Sequence, residues 1–434
     1  MRLKMFKNTF FPIIMGLVLI LISCGNGVRG TKSQERSIKT ADHGARIAKN
    51  ESPTADLSQQ PIKVGANRTE NYLKVLKGKR VGFVGNQSSV IFKDGKRKND
   101  KGAAYTHLVD SLLSLKINVK KVFSPEHGFR GTADAGEEIK DGLDPKTRLP
   151  IISLYGDNKK PKPAQLEGLD IMVFDIQDVG VRFYTYISTL HYVMEACAEA
   201  NIPLLILDRP NPNGHYIDGP ILEKAHTSFV GMHPIPIAHG MTIAEYAQMI
   251  NGEKWLKNGI QCDLTIISME NYTYDLPYSL PIKPSPNLPN DQSIALYPSL
   301  CFFEGTNVSV GRGTDTQFQV FGSPELDKNH FDYRFTPQSK PGATAPPQLG
   351  KLCYGRNLAQ SEVAPGINLE YVIETYRHTS NKKTFFNSFF VKLAGTSQLQ
   401  KQIEQGLSEK EIKATWANGL EKFKEIRKRY TLYP

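Results

Sequence analysis

From residue 61 onward, short β-branched runs alternate with helix-length amphipathic stretches, and this alternation constrains the fold more than any other feature of the chain. Strands are expected at 80–84, 119–123, 151–154, 170–174, 203–207 and 263–267, with helices near 105–115, 188–200 and 242–251. In the 188–200 segment Leu190, Val193, Met194 and Cys197 share one face, the pattern of a helix laid on a sheet. Repeated strand–helix–strand units place parallel strands side by side, since a parallel pair needs a crossover rather than a hairpin. The reading is α/β, a doubly wound, mostly parallel sheet over 61–280.

Near residue 280 the texture changes. Pro281, Pro284, Pro286 and Pro289 crowd one short stretch, too dense for either regular element. Glycines at 305, 311 and 313 follow, then a proline-rich loop over 337–347 and helical patterns at 369–378 and 397–429. Ser408 and Glu411 have the spacing of a capping box that starts a new helix. A second, smaller α+β domain is therefore expected over 281–434.

The N-terminus carries an address. Arg2, Lys4 and Lys7 precede an apolar run over 10–22, shorter than the roughly 20 residues a membrane-spanning helix needs. It has the size of a signal-peptide core. The run ends in Leu21-Ile22-Ser23-Cys24, the pattern of a bacterial lipobox. Residues 1–23 are expected to be a lipoprotein signal and Cys24 the lipidated first residue. Residues 24–60, polar and without apolar period, should form a flexible tether. Gly25 stands where an aspartate would favour the inner membrane, so anchoring on the periplasmic side of an outer membrane is expected.

Hydrophobic residues make up 40% of the chain, enough for real cores. The net charge of +11 includes the cations of the signal segment, and the remaining excess is scattered. Runs such as 93–101 and 159–162 read as solvated surface, and no nucleic-acid motif accompanies them. The other cysteines, at 197, 262, 301 and 353, form no CxxC pair, and their spacing names no disulfide. Oligomeric state is left open.

In open parallel sheets, ligands bind beyond the carboxyl ends of the strands. The expected strand ends here are polar: Asn86 after the first, Glu126, His127 and Arg130 after the second, Asp175, Gln177, Asp178, Arg182 and Tyr184 after the fourth, Asp208 and Arg209 after the fifth. The first turn lacks a GxGxxG, and neither a Walker A sequence nor a GxSxG elbow occurs, which argues against nicotinamide, nucleotide and α/β-hydrolase chemistry. Ser124 beside His127 is a poor nucleophile candidate with Pro125 next to it. No cofactor is called for. A metal site from Glu126, His127 and Asp175 lacks HExxH-type spacing.

Glycoside cleavage needs an acid for the leaving oxygen and generally a second acceptor. Glu126 fits the first role if an apolar wall such as Phe129 surrounds it; otherwise it is a structural partner of Arg130. Asp175 and Asp178 are second carboxylates or helix caps. His127 and His239 either bond substrate or are satisfied core histidines. Arg182 could clasp a carboxylate such as the lactyl group of muramic acid, or pair with Asp178. In the second domain Glu304, Asn307 and Arg312 lie beside glycines, where Glu304 could become another acid if the domains close face to face.

The segments FSPEHGFRG at 123–131 followed by Asp134-Ala135-Gly136-Glu137, DIQDVGVRFYTY at 175–186, DRPNP at 208–212, HGMT at 239–242, SPNLP at 285–289, and EGTN with GRGT at 304–314 resemble the exo-β-N-acetylmuramidase NamZ family, glycoside hydrolase family 171. The resemblance runs in order from about residue 65 to the end; Asn86-Gln87-Ser88 varies slightly from the family's first strand end. It implies a Rossmann-like N-terminal domain, a smaller C-terminal domain, and a cleft between them. It also implies release of N-acetylmuramic acid from the non-reducing ends of peptidoglycan fragments, with the family's Glu-His pair at Glu126 and His127. Asp178, Asp175 or Glu304 would assist. The rival expectation is a lipid-anchored muropeptide-binding protein without turnover, which would still bind after Glu126→Gln. A peptidoglycan amidase or esterase would instead release peptide or acetate.

Overall fold

The computed structural model describes residues 46–47 (backbone only), 60–92, 104–131 and 141–434. The expected signal segment, Cys24, nearly all of the expected tether and Asp134–Glu137 of the resembling motif lie outside the described residues. The rest belongs to one compact unit, 43–434.

The strands, in chain order, are β1 (Arg46–Ile47), β2 (Arg80–Gly85), β3 (Val90–Phe92), β4 (Tyr105–His107), β5 (Asn118–Ser124), β6 (Gly142–Leu143), β7 (Pro150–Ser153), β8 (Ile171–Asp175), β9 (Leu204–Leu207), β10 (Leu264–Ile267), β11 (Val320–Ser323), β12 (Tyr333–Phe335) and β13 (Cys353–Asn357). The main sheet runs β1-β10-β9-β8-β2-β5-β7-β6, parallel throughout except for β6 at its edge. Each of the six expected strands is there, displaced by no more than a residue at either end. Its inner order is the doubly wound one: three strands step outward from β2 on one side, and the next three step outward from β8 on the other. The switch point lies between β2 and β8, where Gly85 pairs with Asp175.

Strands read as unbroken apolar runs because both faces are covered, yet the side chains still alternate. Val84, Phe123, Met172, Phe174, Leu204 and Ile206 enter one core. Val81, Phe83, Val122, Ile171, Val173, Leu205 and Leu207 enter the other. Helices α1 (Thr69–Leu76) and α2 (Leu108–Ser114) close the second core with Tyr72, Leu76, Leu108 and Leu112. After α3 (Pro163–Leu166), α4 (Tyr186–Ala200) and α5 (Ile243–Gly252) close the first.

Two local expectations are corrected. The helix expected at 105–115 begins three residues late, since Tyr105–His107 pairs antiparallel with β3; a backbone partner outcompetes helix start there. Inside the stretch expected as a flexible tether, Arg46–Ile47 adds a short parallel edge to β10, whose edge backbone groups are open to pairing.

The C-terminal part holds α6 (Asp291–Leu300), α7 (Glu370–Arg377), α8 (Phe390–Ala394), α9 (Gln398–Glu404), α10 (Glu409–Ala414) and α11 (Ala417–Arg427) around an antiparallel β11-β13-β12 sheet. The pattern at 397–429 thus resolves into three helices, and the Ser408–Glu411 capping box starts the second. Pro298 sits inside α6 and cannot donate to the Ile294 carbonyl; Asn213 Nδ2 does so instead, at 3.3 Å. The first core runs on without a break into this part through Phe302, Phe303, Phe318, Phe390 and Trp416.

Candidate functional site

After β5 the chain turns through Pro125-Glu126-His127-Gly128. His127 and Gly128 both adopt left-handed backbone, φ 70° and 79°, and Gly128 N–H closes the turn on the Pro125 carbonyl at 3.1 Å. A histidine held there costs on the order of 1 kcal/mol or more, which a fold retains where it aims a neighbour. The turn sets Glu126 and His127 on a cleft of about 1240 Å³. That is larger than the roughly 300–1,000 Å³ of an ordinary small-molecule pocket.

The cleft opens beyond the carboxyl ends of β5, β7 and β8, as a doubly wound sheet dictates. Tyr155, Lys159, Thr185 and Tyr186 line it from the sheet side, with Phe183 and Tyr184. Glu304, Arg312, Phe318 and the 341–347 loop line it from the C-terminal side. Thr185 Oγ1 donates to Glu126 Oε2 at 2.7 Å. The Tyr155 hydroxyl also bonds Glu126; burial first, then the Glu126 charge, pushes that phenol well above its ordinary range, so it stays a neutral donor. Burial and then Glu126 act the same way on Tyr186. Tyr186 accepts from Asn86 Nδ2 at 2.9 Å and donates to the Pro284 carbonyl at 3.2 Å. Asn287 Nδ2 holds the proline-rich loop through the Gly342 carbonyl at 2.8 Å.

Of the residues expected at the site, Glu126, His127, Tyr184, Glu304 and Arg312 meet in this cleft. Glu304 is clasped by Arg312, with Nε and Nη2 at 2.7 and 2.6 Å from the same carboxylate oxygen, and Arg312 also covers the Phe318 ring. Asn86 stands one layer behind, holding Tyr186.

The others do not line the cleft. Asp175 is fully buried in a bidentate pair with Arg209, at 2.6 and 2.9 Å, so these two satisfy each other. Gln177 ties its own turn to the Pro210 carbonyl at 2.6 Å. Asp208 accepts from Thr242 Oγ1, the Ala244 N–H and the Tyr433 hydroxyl, a helix-start acid. Arg130 pairs with Asp144 at 2.7 Å and lies on Phe129, leaving Glu126 to other partners. Asn307 Nδ2 donates to Glu325 at 2.8 Å.

Asp178 and Arg182 are the main corrections. Asp178 lies behind the wall, accepting from the Gly180 N–H at 2.7 Å, with His239 Nε2 3.9 Å away. Burial raises the Asp178 carboxyl to about 7 and lowers His239 to about 3. Arg182 meets neither substrate space nor Asp178. Its guanidinium donates to the carbonyls of Pro220, Ile235, Leu393 and Ala394, and burial lowers it to about 9.

Sequence reasoning missed Tyr155, Lys159, Phe229 and the 341–347 loop. Lys159 was hidden in a lysine run that resembles solvated surface. Thr185, Tyr186, Ser285 and Asn287 lay inside quoted motifs, yet nothing local distinguished them from neighbours that are buried.

Fold and site together define a doubly wound α/β protein with a cleft of oligosaccharide size and one acid held by neutral hydroxyls. The sequence matches the profile described as exo-β-N-acetylmuramidase NamZ, N-terminal, over residues 81–292, and its C-terminal counterpart over 295–433. The chain belongs to the NamZ exo-β-N-acetylmuramidase family. It is 38% identical over 386 residues to the peptidoglycan β-N-acetylmuramidase NamZ of Bacillus subtilis strain 168, covering 84% of this chain and 89% of that one. Two crystal structures of DUF1343 family proteins from Bacteroides fragilis NCTC 9343 share the fold. One has a TM-score of 0.77 at 47% identity and the other 0.71 at 27%; each match covers 86% of this chain and 99% of the other.

Proposed function

We propose that this protein is an exo-acting glycoside hydrolase that cuts the β-1,4 bond after a non-reducing terminal N-acetylmuramic acid in peptidoglycan fragments. Glu126 is its general acid. The observation that carries the assignment is the Glu126 carboxyl set on an open cleft beyond the strand ends, with Thr185 and Tyr155 hydrogen-bonded to it. Two hydroxyls fix the direction in which this carboxyl faces the cleft, as a general acid must be positioned, whereas Glu304 is turned onto the Arg312 guanidinium. Membership of the family and 38% identity to a peptidoglycan β-N-acetylmuramidase support the substrate class.

His127, next to the acid, borders the bound sugar. Glu304 faces the same space as the stabilising carboxylate, or it orients the substrate's acetamido group. The lipobox at Cys24 supports an exported protein tethered by lipid to the periplasmic face of the outer membrane.

The test is release of free N-acetylmuramic acid from a β-1,4-linked muramic acid–glucosamine disaccharide. The wild type should release it, and Glu126→Gln should lose about 100- to 10,000-fold of the rate while melting at the wild-type temperature. Unchanged release in a folded Glu126→Gln would remove the acid assignment. No release by the wild type, with tight muropeptide binding, would leave a binding protein instead.

A further inference from the structure

Muramic acid differs from glucosamine by one group, a lactyl ether at the 3-position that ends in a carboxylate and carries a methyl. Among the described residues that line the cleft, Lys159 and Arg312 carry fixed positive charge. Arg312 spends Nε and Nη2 on Glu304. Lys160, the neighbour of Lys159, is taken by Glu195 and Glu199, each at 2.7 Å. Lys159 has a single carbonyl partner, Gly156 at 2.7 Å, and no carboxylate among the described residues. An ammonium has three donors, so the remaining ones stay available for an anion.

The surroundings of this ammonium are built, not loose. It rides on the turn that follows β7, where Asn158 Nδ2 donates to the Ser153 carbonyl at 2.6 Å and the Tyr155 N–H to Ser153 Oγ at 3.2 Å. Tyr155, at the head of the same turn, bonds Glu126. The Lys159 ammonium lies 5.5 Å from the centre of the Phe229 ring, which packs 6.1 Å from Tyr155 and is backed by Tyr192. One corner therefore offers a cation beside an apolar ring, the complement of a carboxylate beside a methyl.

We propose that Lys159, with Phe229 beneath it, is the residue pair that reads the lactyl group of the terminal sugar and so selects muramic acid over glucosamine. This rests on the muramidase reading. Because one turn carries both Lys159 and the tyrosine that holds the acid, binding the lactyl carboxylate also sets the glycosidic oxygen against Glu126. Lys159 is a specificity residue and takes no part in proton transfer.

The test uses an aryl β-N-acetylmuraminide with its free lactyl acid and the same glycoside as the neutral lactyl amide. The wild type should cleave the acid with a kcat/KM about 10- to 100-fold above the amide, the range expected for one charge-assisted contact. Lys159→Met should lose that preference, with kcat/KM on the acid falling to the level of the amide. Lys159→Arg should keep most of it, which separates loss of charge from loss of fold. A Lys159→Met enzyme that still prefers the acid as the wild type does would overturn the proposal while leaving the muramidase reading intact. A wild type that cleaves neither glycoside nor the disaccharide would overturn the reading beneath it.

Discussion

At the residue scale, burial separates carboxyls that look alike in the sequence. Asp178 is cut off from water and accepts hydrogen bonds from the N–H groups of Gly180 and Val179, and burial outweighs them to raise its carboxyl to about 7. In the unfolded chain the same group titrates near its ordinary 3.8. The native state therefore binds the extra proton between those values, and its contribution to stability is full below the lower one and lost as pH rises through the upper one. Asparagine keeps an oxygen for the Gly180 N–H and has nothing to ionise. Asp178→Asn should gain on the wild type as pH rises from 4 to 7 and level off above, reaching on the order of a few kcal/mol. Urea unfolding at several pH values reads the gap directly, and a gap flat in pH would refute the buried neutral carboxyl. The same variant should still release sugar, because Asp178 does not reach the cleft.

At the scale of elements, helix starts show how tertiary context sets the strength of a local signal. Thr242 caps α5, accepting from the Glu245 N–H, while its hydroxyl donates to the buried Asp208 at 2.8 Å. Ser408 caps α10 with the same box, but on the exposed surface. The Ser408 box is read from spacing alone, whereas the Thr242 box, which has the same spacing, emerges with the structure. Thr242→Ala should cost about 2 kcal/mol, because it also strips a donor from a buried carboxyl. Ser408→Ala should cost about 0.5–1 kcal/mol, as caps in water do. Denaturant midpoints for the two variants rank them, and equal costs would mean that the link to Asp208 adds nothing.

At the scale of the whole molecule, the C-terminal helices and the parallel sheet are held as one body. Arg182 binds carbonyls at 220 and 235 and, more than two hundred residues on, those of Leu393 and Ala394 at the end of α8. The terminal segment returns as well: the Tyr433 hydroxyl bonds Asp208 at 2.6 Å, and the Leu432 N–H bonds Glu245 at 2.7 Å. Arg182→Leu leaves those four carbonyls in a dry interior, so it should cost about 3–5 kcal/mol in a single transition with unchanged denaturant dependence. If the variant instead kept its stability and lost affinity for muropeptide, Arg182 would return to the substrate site.

The sequence by itself determined the sheet, because apolar period, strand length and intervening amphipathic helices are local properties that the parallel fold only collects. It also placed Glu126, since a polar strand end in a doubly wound sheet lies where ligands bind, whatever its partners. Which of the other strand-end charges face the cleft was decided only by tertiary structure. Asp175 is satisfied by Arg209 and Asp208 by Thr242 and Tyr433, partners that the chain brings from tens to hundreds of residues away. Lys159 looked like one more surface lysine until folding gave Lys160 two carboxylates and left Lys159 on the cleft. A charge becomes functional or structural through the groups that desolvate and pair with it, and those are assembled by long-range packing.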